Sequence, residues 1–431
     1  MRKRIFALLL AATLLLLGGC SMRTADQMYA LPKRSRQQDA LQTQIDTAMK
    51  DMAYCAPLTG ENRQTVQKAD LNGDGIQEYL VFAKAANERP LRIHIFSQQG
   101  DKMRLWDTVE SNGTAFELVE YVDMDDVPGV ELVVGCQLSD QLMRSVSVYH
   151  FPKGKAQRLM TTNYNKFLTI DLDGDSFKEL FVLRPGQTET DNAVAELYGM
   201  ENGSIQRSNE VNMSTPPDKL KRILSGRLDD GVTAVYAAAA VDDTTLVTDV
   251  FVMLNGSLLN VSIPGRTARN YYVYAEDIDS DGVVELPSLI PMLTFGESHS
   301  QERHDLIRWY SLQSNGSETD KMYTYHNFVD GWYLQLQPDW ANRLTVIAQG
   351  NQHEFYLWNY SFDAVQKLMT LTVLTGQDRE EESTAEGRIV LLKTDTAIYA
   401  ANLESDSETF GITEENVLSR FHLIQQDWIG S

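Results

Sequence analysis

The chain has 431 residues, of which 38 are Lys or Arg and 60 are Asp or Glu, so its formal net charge is −22. This acid excess argues against a nucleic-acid-binding protein, because neutralising phosphates requires a clustered basic face. Three cysteines are too few for a disulfide framework or a Cys-rich zinc site. The length predicts one large repeat architecture or two to three smaller domains.

The first nineteen residues are predicted to be a signal peptide. A basic start at residues 2–4 precedes an apolar run over 5–17, which is too short to cross a membrane as a helix. The run ends in Leu17-Gly18-Gly19-Cys20, which resembles the lipobox of bacterial lipoproteins. The resemblance implies cleavage before Cys20, diacylation of Cys20, and a protein anchored by lipid to the membrane of a bacterial cell envelope, on its extracytoplasmic side. The alternative is an ordinary secretory signal in which Cys20 is incidental.

Residues 20–56 are predicted to form a lipid-anchored stalk and a short helix. Residues 21–36 are polar and show little periodicity, whereas Leu41, Ile45 and Met49 recur at the spacing of one helical face. We expect this helix to dock on the globular part of the protein, because its apolar stripe needs cover.

An acidic segment recurs along the rest of the chain. Four segments share one layout, in which a Glu falls eight residues after the first Asp. They are loop 1 (70–78), loop 2 (123–131), loop 3 (171–179) and loop 4 (277–285). The first three begin about fifty residues apart and the last begins after about twice that interval, so a degenerate copy is expected at Leu228-Asp229-Asp230-Gly231.

Turn signals recur with the same period. The turns are Gly100, Gly154, Asn202-Gly203, Asn255-Gly256 and Asn315-Gly316. Asn-Gly favours a two-residue hairpin turn because both central positions need positive φ. Each turn follows an acidic segment, so the two signals define one repeating unit of short strands.

The predicted fold is all-β: a β-propeller of about seven four-stranded blades over residues 57–431. A short helix precedes it, and a second is expected to begin after Thr413 and to place Val417, Phe421, Ile424 and Trp428 on one face. The alternative is a pair of β-sandwich domains, which also have a strand every 8–12 residues.

The acidic segments have the residue types of a hard-cation site. Oxygen ligands at positions 1, 3, 5 and 9, with Gly at 6 and a backbone carbonyl at 7, are able to surround Ca²⁺ in the manner of a shortened EF-hand loop. This pattern resembles the calcium-binding loops of FG-GAP repeats, also called VCBS-type or integrin-like propeller repeats. The resemblance implies structural Ca²⁺ and a role in adhesion or ligand binding.

Carried over position by position, the resemblance assigns ligands in three loops. They are Asp70, Asn72, Asp74, the Ile76 carbonyl and Glu78 in loop 1; Asp171, Asp173, Asp175 and Glu179 in loop 3; and Asp277, Asp279, Asp281, the Val283 carbonyl and Glu285 in loop 4. In loop 3, Ser176 replaces the turn glycine, which weakens that site. Loop 2 has Val127 and Pro128 at its fifth and sixth positions and is predicted to bind no ion. The alternative for every loop is an acidic turn without metal.

These features predict a non-enzymatic, lipid-anchored propeller that acts as a binding, adhesion or scaffold module. Its partner would be an extracytoplasmic protein, peptide or glycan, not a nucleic acid. One alternative is a propeller-fold carbohydrate-active enzyme or other hydrolase, since propellers also carry such enzymes. Another is a subunit of an envelope assembly or sensing complex.

Two further constellations have open interpretations. Cys55 and Cys136 either form a disulfide or stay free. The aromatic residues concentrated between 332 and 358 are either a sugar-stacking platform or part of the core; they are Trp332, Tyr333, Trp340, Tyr356 and Trp358.

Overall fold

The computed structural model describes residues 36–86, 90–100, 102–138, 143–186, 192–270, 273–294 and 304–425. The predicted signal peptide, Cys20 and the stalk up to residue 35 lie outside these ranges. The described chain is nearly all β: six antiparallel sheets of four or five strands are accompanied by short helices. No helix in these ranges is long and apolar enough to cross a membrane.

The chain enters through helix α1 (Arg36–Ala48) and then forms sheet 1. The strands of sheet 1 are β1 (Met52–Tyr54), β2 (Val66–Ala69), β3 (Glu78–Ala85), β4 (Leu91–Gln99) and β5 (Lys102–Ser111). Strands β1 and β2 both pair with β3, and β4 and β5 follow in order.

Sheets 2, 3 and 4 are plain four-stranded meanders in which each strand pairs with the next. Sheet 2 contains β6 (Ala115–Val122), β7 (Glu131–Gln137), β8 (Arg144–His150) and β9 (Gln157–Tyr164). Sheet 3 contains β10 (Lys166–Ile170), β11 (Glu179–Arg184), β12 (Val194–Glu201) and β13 (Ser204–Asn212). Sheet 4 contains β14 (Leu220–Arg227), β15 (Thr233–Ala240), β16 (Leu246–Leu254) and β17 (Ser257–Asn260).

Sheets 5 and 6 each have five strands and carry the remaining helices. Helix α2 (Pro264–Thr267) precedes sheet 5, which contains β18 (Leu286–Pro291), β19 (Asp305–Leu312), β20 (Glu318–Asn327) and β21 (Trp332–Leu336). Sheet 6 contains β22 (Leu344–Gln349), β23 (Gln352–Trp358), β24 (Val365–Thr375), β25 (Arg388–Lys393) and β26 (Ala397–Leu403), with helix α3 (Arg379–Glu382) before β25. Helix α4 (Glu414–Arg420) then leads into β27 (Phe421–Leu423), which returns to pair with β21.

The expectation of about seven blades is wrong in number, since the described residues form six sheets. The estimate assumed that every stretch of about fifty residues builds one sheet. Three segments do not form sheets of their own: the α2 segment before sheet 5, the α3 segment inside sheet 6, and residues 404–425. The last of these contains helix α4 and strand β27, which joins sheet 5.

The core lies between consecutive sheets. Separate clusters of buried apolar side chains join sheets 1 and 2, 2 and 3, 3 and 4, 4 and 5, and 5 and 6. The second strand of a sheet is therefore covered on both faces, and β7 and β15 are accordingly almost continuously apolar and buried. Outer strands such as β13 alternate exposed and covered residues. Burial on both faces explains why these second strands contain few polar residues.

Helix α1 covers the free face of sheet 1. Leu41 and Ile45 are buried against Val81, Phe96 and Met103, which lie on the face of the sheet opposite the contact with sheet 2. The helix therefore docks as expected. Among the described residues, no apolar cluster joins sheet 6 to sheet 1, so the sheets form an open series.

The C-terminal helix is shorter than predicted. The hydroxyl of Thr413 caps it by accepting a hydrogen bond from the backbone of Asn416 at 3.2 Å, as expected for an N-cap. The helix ends at Arg420, and Phe421 begins a strand. Backbone pairing of residues 421–423 with β21 overrides the helical periodicity that the sequence shows there.

Candidate metal centre

The acidic loops occupy equivalent places in the fold. Loops 1, 2 and 3 connect the first two strands of their sheets, namely β2 to β3, β6 to β7 and β10 to β11. Loop 4 is closed by an isolated antiparallel bridge between Glu276 and Glu285 and is followed directly by strand β18. In an antiparallel meander the turn between the third and fourth strands lies at the same end of the sheet as the turn between the first and second strands. The acidic loops and the glycine turns therefore lie at the same end of their sheets.

Loop 4 brings three predicted ligands together. Oxygen atoms of Asp277, Asp279 and Glu285 lie within 4.8 Å of one another. Asp277 also accepts backbone hydrogen bonds from Asp281 and Gly282, both at 3.0 Å, which wrap the loop around its carboxylate. The backbone of Val283 donates to Asp281 Oδ1 at 2.8 Å.

Glu285 has one satisfied and one unsatisfied oxygen. Its side chain is fully buried, and Oε2 accepts a hydrogen bond from the backbone of Ile278 at 3.1 Å. Oε1 is buried without a hydrogen-bond partner. Burial, with Asp279, Asp281 and Asp277 adding repulsion, raises the pKa of Glu285 to about 8. A bound cation would remove both penalties, so the residues present in loop 4 fit a hard cation.

Loop 3 has the same arrangement despite its serine. Oxygen atoms of Asp171, Asp173 and Glu179 lie within 4.8 Å of one another. Ser176 has φ of 81°, close to the 86° of Gly282 at the matching position of loop 4. Its backbone donates to Asp171 Oδ2 at 3.1 Å. The serine therefore accepts the left-handed turn instead of abolishing it, and burial raises the pKa of Glu179 to about 7.

Loop 1 has the same backbone wrap but a different environment for its glutamate. Asp70 Oδ1 and Oδ2 accept hydrogen bonds from Gly73 and Gly75, both at 2.8 Å. The backbone of exposed Ile76 donates to Asp74 Oδ1 at 2.8 Å, and Asn72 donates to Asp74 Oδ2 at 3.1 Å. The hydroxyl of Ser97, on β4, donates to Glu78 Oε1 at 3.0 Å. Because the backbone of Leu71 donates to Oε2, both carboxylate oxygens of Glu78 have a hydrogen-bond partner. This difference from loop 4 depends on Ser97, which is nineteen residues from Glu78 in the sequence.

Loop 2 is built differently from the other three loops. It keeps two contacts that the other loops also have: the backbone of Met124 donates to Glu131 Oε2 at 3.0 Å, and the backbone of Val127 donates to Asp125 Oδ1 at 2.8 Å. The loop packs instead against loop 1: a β-carbon added at Gly73 would lie 2.5 Å from the Pro128 carbonyl carbon. Burial raises the pKa of Glu131 to about 7.

One structural role of the glutamates is shared by all four loops. The second residue of each loop (Leu71, Met124, Leu172, Ile278) is buried, and its backbone N–H donates to the loop's glutamate at 2.9 to 3.1 Å. The glutamate therefore closes the loop even where no metal ligands converge. This interaction links positions 2 and 9 of each loop.

The degenerate copy also lies where the repeat places it, between β14 and β15, and it is tied to loop 4 by a lysine. Lys321 Nζ lies 3.0 Å from Asp229 Oδ1 and 3.1 Å from Asp281 Oδ2. Lys321, on β20, is distant in sequence from both loops, so no local pattern identifies this bridge. It supplies positive charge on the outer side of loop 4.

Two other predicted constellations are resolved by burial and bonding. Trp332, Tyr333 and Trp340 are buried in the core and do not form a stacking platform, whereas Tyr356 and Trp358 are partly exposed. Cys55 and Cys136 are both free thiols.

A polar cleft that the sequence did not reveal lies beside sheet 5. Its volume is 810 Å³, and it is bounded by residues 265–270, which include part of α2, by strands β18 and β19, and by the turn at 316–318. Arg269, Arg308, Tyr310 and Glu318 line it. We call it the α2 cleft. These residues come from separate elements, so only the tertiary structure brings them together.

Comparisons with known proteins give structural neighbours only. No family model and no curated protein matches the chain. Solved structures with similarity include the exotype rhamnogalacturonan lyase YesX and the Bacillus licheniformis rhamnogalacturonan lyase PL11, each at 12% identity and a TM-score of 0.29, covering 73% of this chain and 72% of the other. Saccharomyces cerevisiae Sqt1 matches at 10% identity and a TM-score of 0.31, covering 82% of this chain and 100% of its own.

These neighbours are β-propeller-like folds, and two of them are enzymes. These comparisons contradict the expectation of a non-enzymatic protein. At such low TM-scores the neighbours assign no activity to this chain.

Proposed function

We propose that the protein is a propeller-type repeat protein whose sheets are blades and whose acidic loops 1, 3 and 4 hold structural Ca²⁺. The observation that carries the proposal is the buried, unpartnered Oε1 of Glu285 beside Asp277 and Asp279. Loop 3 offers the corresponding three carboxylates. Loop 1 has Asp70, Asn72, Asp74 and Glu78, and its first aspartate accepts the same backbone hydrogen bonds as in loop 3. Ca²⁺ prefers carboxylate and carbonyl oxygens in flexible geometry, which suits loops of this kind.

The ions would act by stabilising the loops at the ends of the strands. Each loop joins two strands whose sheet packs against its neighbours, so closing the loop holds the register of the first strand pair. Without a cation, three carboxylates repel one another in a partly buried site. Calcium would convert that repulsion into a cross-link between the two ends of the loop.

The test is the melting temperature of the mature chain in excess EDTA and in Ca²⁺. A ligand present at a hundred times its dissociation constant stabilises the folded state by about 2.7 kcal/mol, which is a measurable shift. Equal melting temperatures in EDTA and millimolar Ca²⁺ would reject the proposal. Mg²⁺ serves as the matched control, since it requires stricter octahedral geometry and retains its waters.

The location proposed from Cys20 is the extracytoplasmic side of a bacterial envelope, with the acyl chains as the membrane anchor. Replacing Cys20 with Ala tests it: the variant should move from the membrane fraction to the soluble fraction, while an unchanged distribution would contradict lipidation.

A second candidate function is catalysis on a carbohydrate, and the α2 cleft is the observation that favours it. The cleft combines the carboxylates of Asp305 and Glu318 with Arg308 and the hydroxyl of Tyr310. Carboxylates that face a sugar-sized space can act as acid and base. Release of reducing or unsaturated ends from a polysaccharide panel, lost in Glu318→Gln, tests this candidate.

A further inference from the structure

We infer that the α2 cleft binds a small, hydroxyl-rich anion carrying a carboxylate or a phosphate. The inference deepens the second proposed function, because it rests on the cleft as a ligand site and names the chemical class of the ligand. It does not require that the ligand be turned over.

The main evidence is the charge of Arg269. Its side chain is only 3% exposed, yet it lines the cleft. The guanidinium donates to the backbone carbonyls of Val273 and Thr267 and to the hydroxyl of Thr248. All three acceptors are neutral, and no described carboxylate forms an ion pair with Arg269.

A buried cation without a counter-ion is costly. Charges taken out of water are normally paired, and the attraction between paired charges is strong where solvent is excluded. Burial is also the reason that the pKa of Arg269 falls to about 10, which still leaves the group charged at neutral pH. An anion in the cleft would supply the missing partner.

The other two arginines of the cleft are paired with carboxylates. Glu318 accepts from Arg266 at 3.3 Å and from Arg308 at 3.0 Å, and Asp320 also pairs with Arg308. The lining thus contains three arginines, at 266, 269 and 308, against the carboxylates of Asp305 and Glu318. Within the described residues, Arg266 and Arg308 are paired with carboxylates and Arg269 is not, although the protein as a whole has a net charge of −22.

The size and polarity of the cleft define the rest of the ligand. A volume of 810 Å³ lies within the range of small-molecule sites. Asn270, Ser288 and Ser317 add neutral donors and acceptors to the lining. Arginine pairs with carboxylates and phosphates through two parallel hydrogen bonds. A sugar acid or a sugar phosphate matches both the charge and the hydroxyl-binding groups.

The experiment is isothermal titration of the mature chain with glucuronate, glucose 6-phosphate and glucose at low salt. We expect at least one anion to bind about tenfold or more tightly than glucose, because the neutral sugar leaves Arg269 unpaired. The two anions distinguish carboxylate from phosphate. Glucose binding as tightly as both anions, or no binding by either anion, would overturn the inference.

Variants locate the site. Arg269→Met should abolish the preference for the anion, and Arg308→Gln should weaken anion binding if the first variant does not fold. Arg144→Gln is the matched control, since Arg144 is a half-buried arginine paired with Glu117 at 3.2 Å away from the cleft. Unchanged anion affinity in folded Arg269→Met, or in Arg308→Gln when Arg269→Met does not fold, would overturn the inference.

The readout is separate from both proposed functions. Glu285→Gln should lose part of the calcium response and keep anion binding, because loop 4 is not part of the cleft lining. Binding at equilibrium is likewise measured whether or not any polysaccharide is cleaved.

Discussion

Glu285 accepts a hydrogen bond from the backbone of Ile278 at 3.1 Å through one carboxylate oxygen, while the other oxygen is buried without a partner. In loop 1 the equivalent Glu78 is satisfied at both oxygens, by Leu71 at 3.0 Å and by Ser97 at 3.0 Å. Two loops with nearly the same sequence therefore differ in their need for a cation. We expect loop 4 to show the stronger calcium dependence.

Glu285→Gln should separate closure of the loop from metal binding. The amide oxygen can still accept from Ile278, but the buried charge and a metal ligand are lost. In EDTA at pH 8 the variant should be more stable than the parent by about 1–2 kcal/mol, because the parent pays to bury an unpaired carboxylate. Urea denaturation with and without Ca²⁺ measures both effects. Glu78→Gln is the matched control, and an equal change in the two variants would contradict the distinction between the loops.

The pH dependence of stability should reveal the buried glutamates. Burial raises the pKa of Glu131 to about 7 in the folded chain, from an ordinary value of 4.5. A raised carboxyl pKa means that the folded state binds the proton more tightly than the unfolded state. This contribution is complete below pH 4.5 and is lost as the pH rises through 7.

The free energy of unfolding in EDTA should therefore fall between pH 4.5 and 7, and Glu131→Gln should flatten part of that fall. Urea titrations across this range provide the measurement. The Gln variant and the parent having the same slope would show that Glu131 does not titrate in this way.

Ser176→Gly should stabilise the protein. Ser176 adopts φ of 81°, a conformation that glycine reaches without the steric cost imposed by a β-carbon. The gain should be about 1 kcal/mol. The reciprocal change Gly282→Ser, at φ of 86° in loop 4, should cost about the same, because no atom crowds that position and only the backbone conformation matters. Thermal unfolding of both variants in EDTA tests the pair, and changes of the same sign would refute the explanation.

Ile45→Ala should destabilise sheet 1. Ile45 is 4% exposed and packs with Val81 and Phe96 on the face of the sheet that no other sheet covers. The expected loss is about 2–4 kcal/mol, the usual cost of a large-to-small change in a core. Thr47→Ala, on the exposed side of the same helix, is the control and should change stability little. If both variants unfold at the same denaturant concentration as the parent, helix α1 does not pack on the free face of sheet 1 in solution.

Local patterns in the sequence predicted the elements well where one strand or one loop carries the signal. The Asn-Gly turn at 202–203 joins β12 and β13, and Thr413 caps its helix. Such features depend on residues a few positions apart. The predicted number of sheets was wrong because insertions such as the α2 segment do not belong to the repeat, yet their residues were included when the length was divided by the repeat period.

The sequence by itself determined the strand-rich repeat, the positions of the acidic loops and the carboxylates available in each, since period and spacing are local properties. Only the tertiary structure decided which glutamate oxygen is left without a partner, because Ser97 approaches Glu78 from another strand. The same holds for Lys321 between Asp229 and Asp281, and for Arg269 at the α2 cleft. Each of these depends on burial and on contacts between distant segments, and these set the energy of a charge more strongly than its neighbours in sequence do.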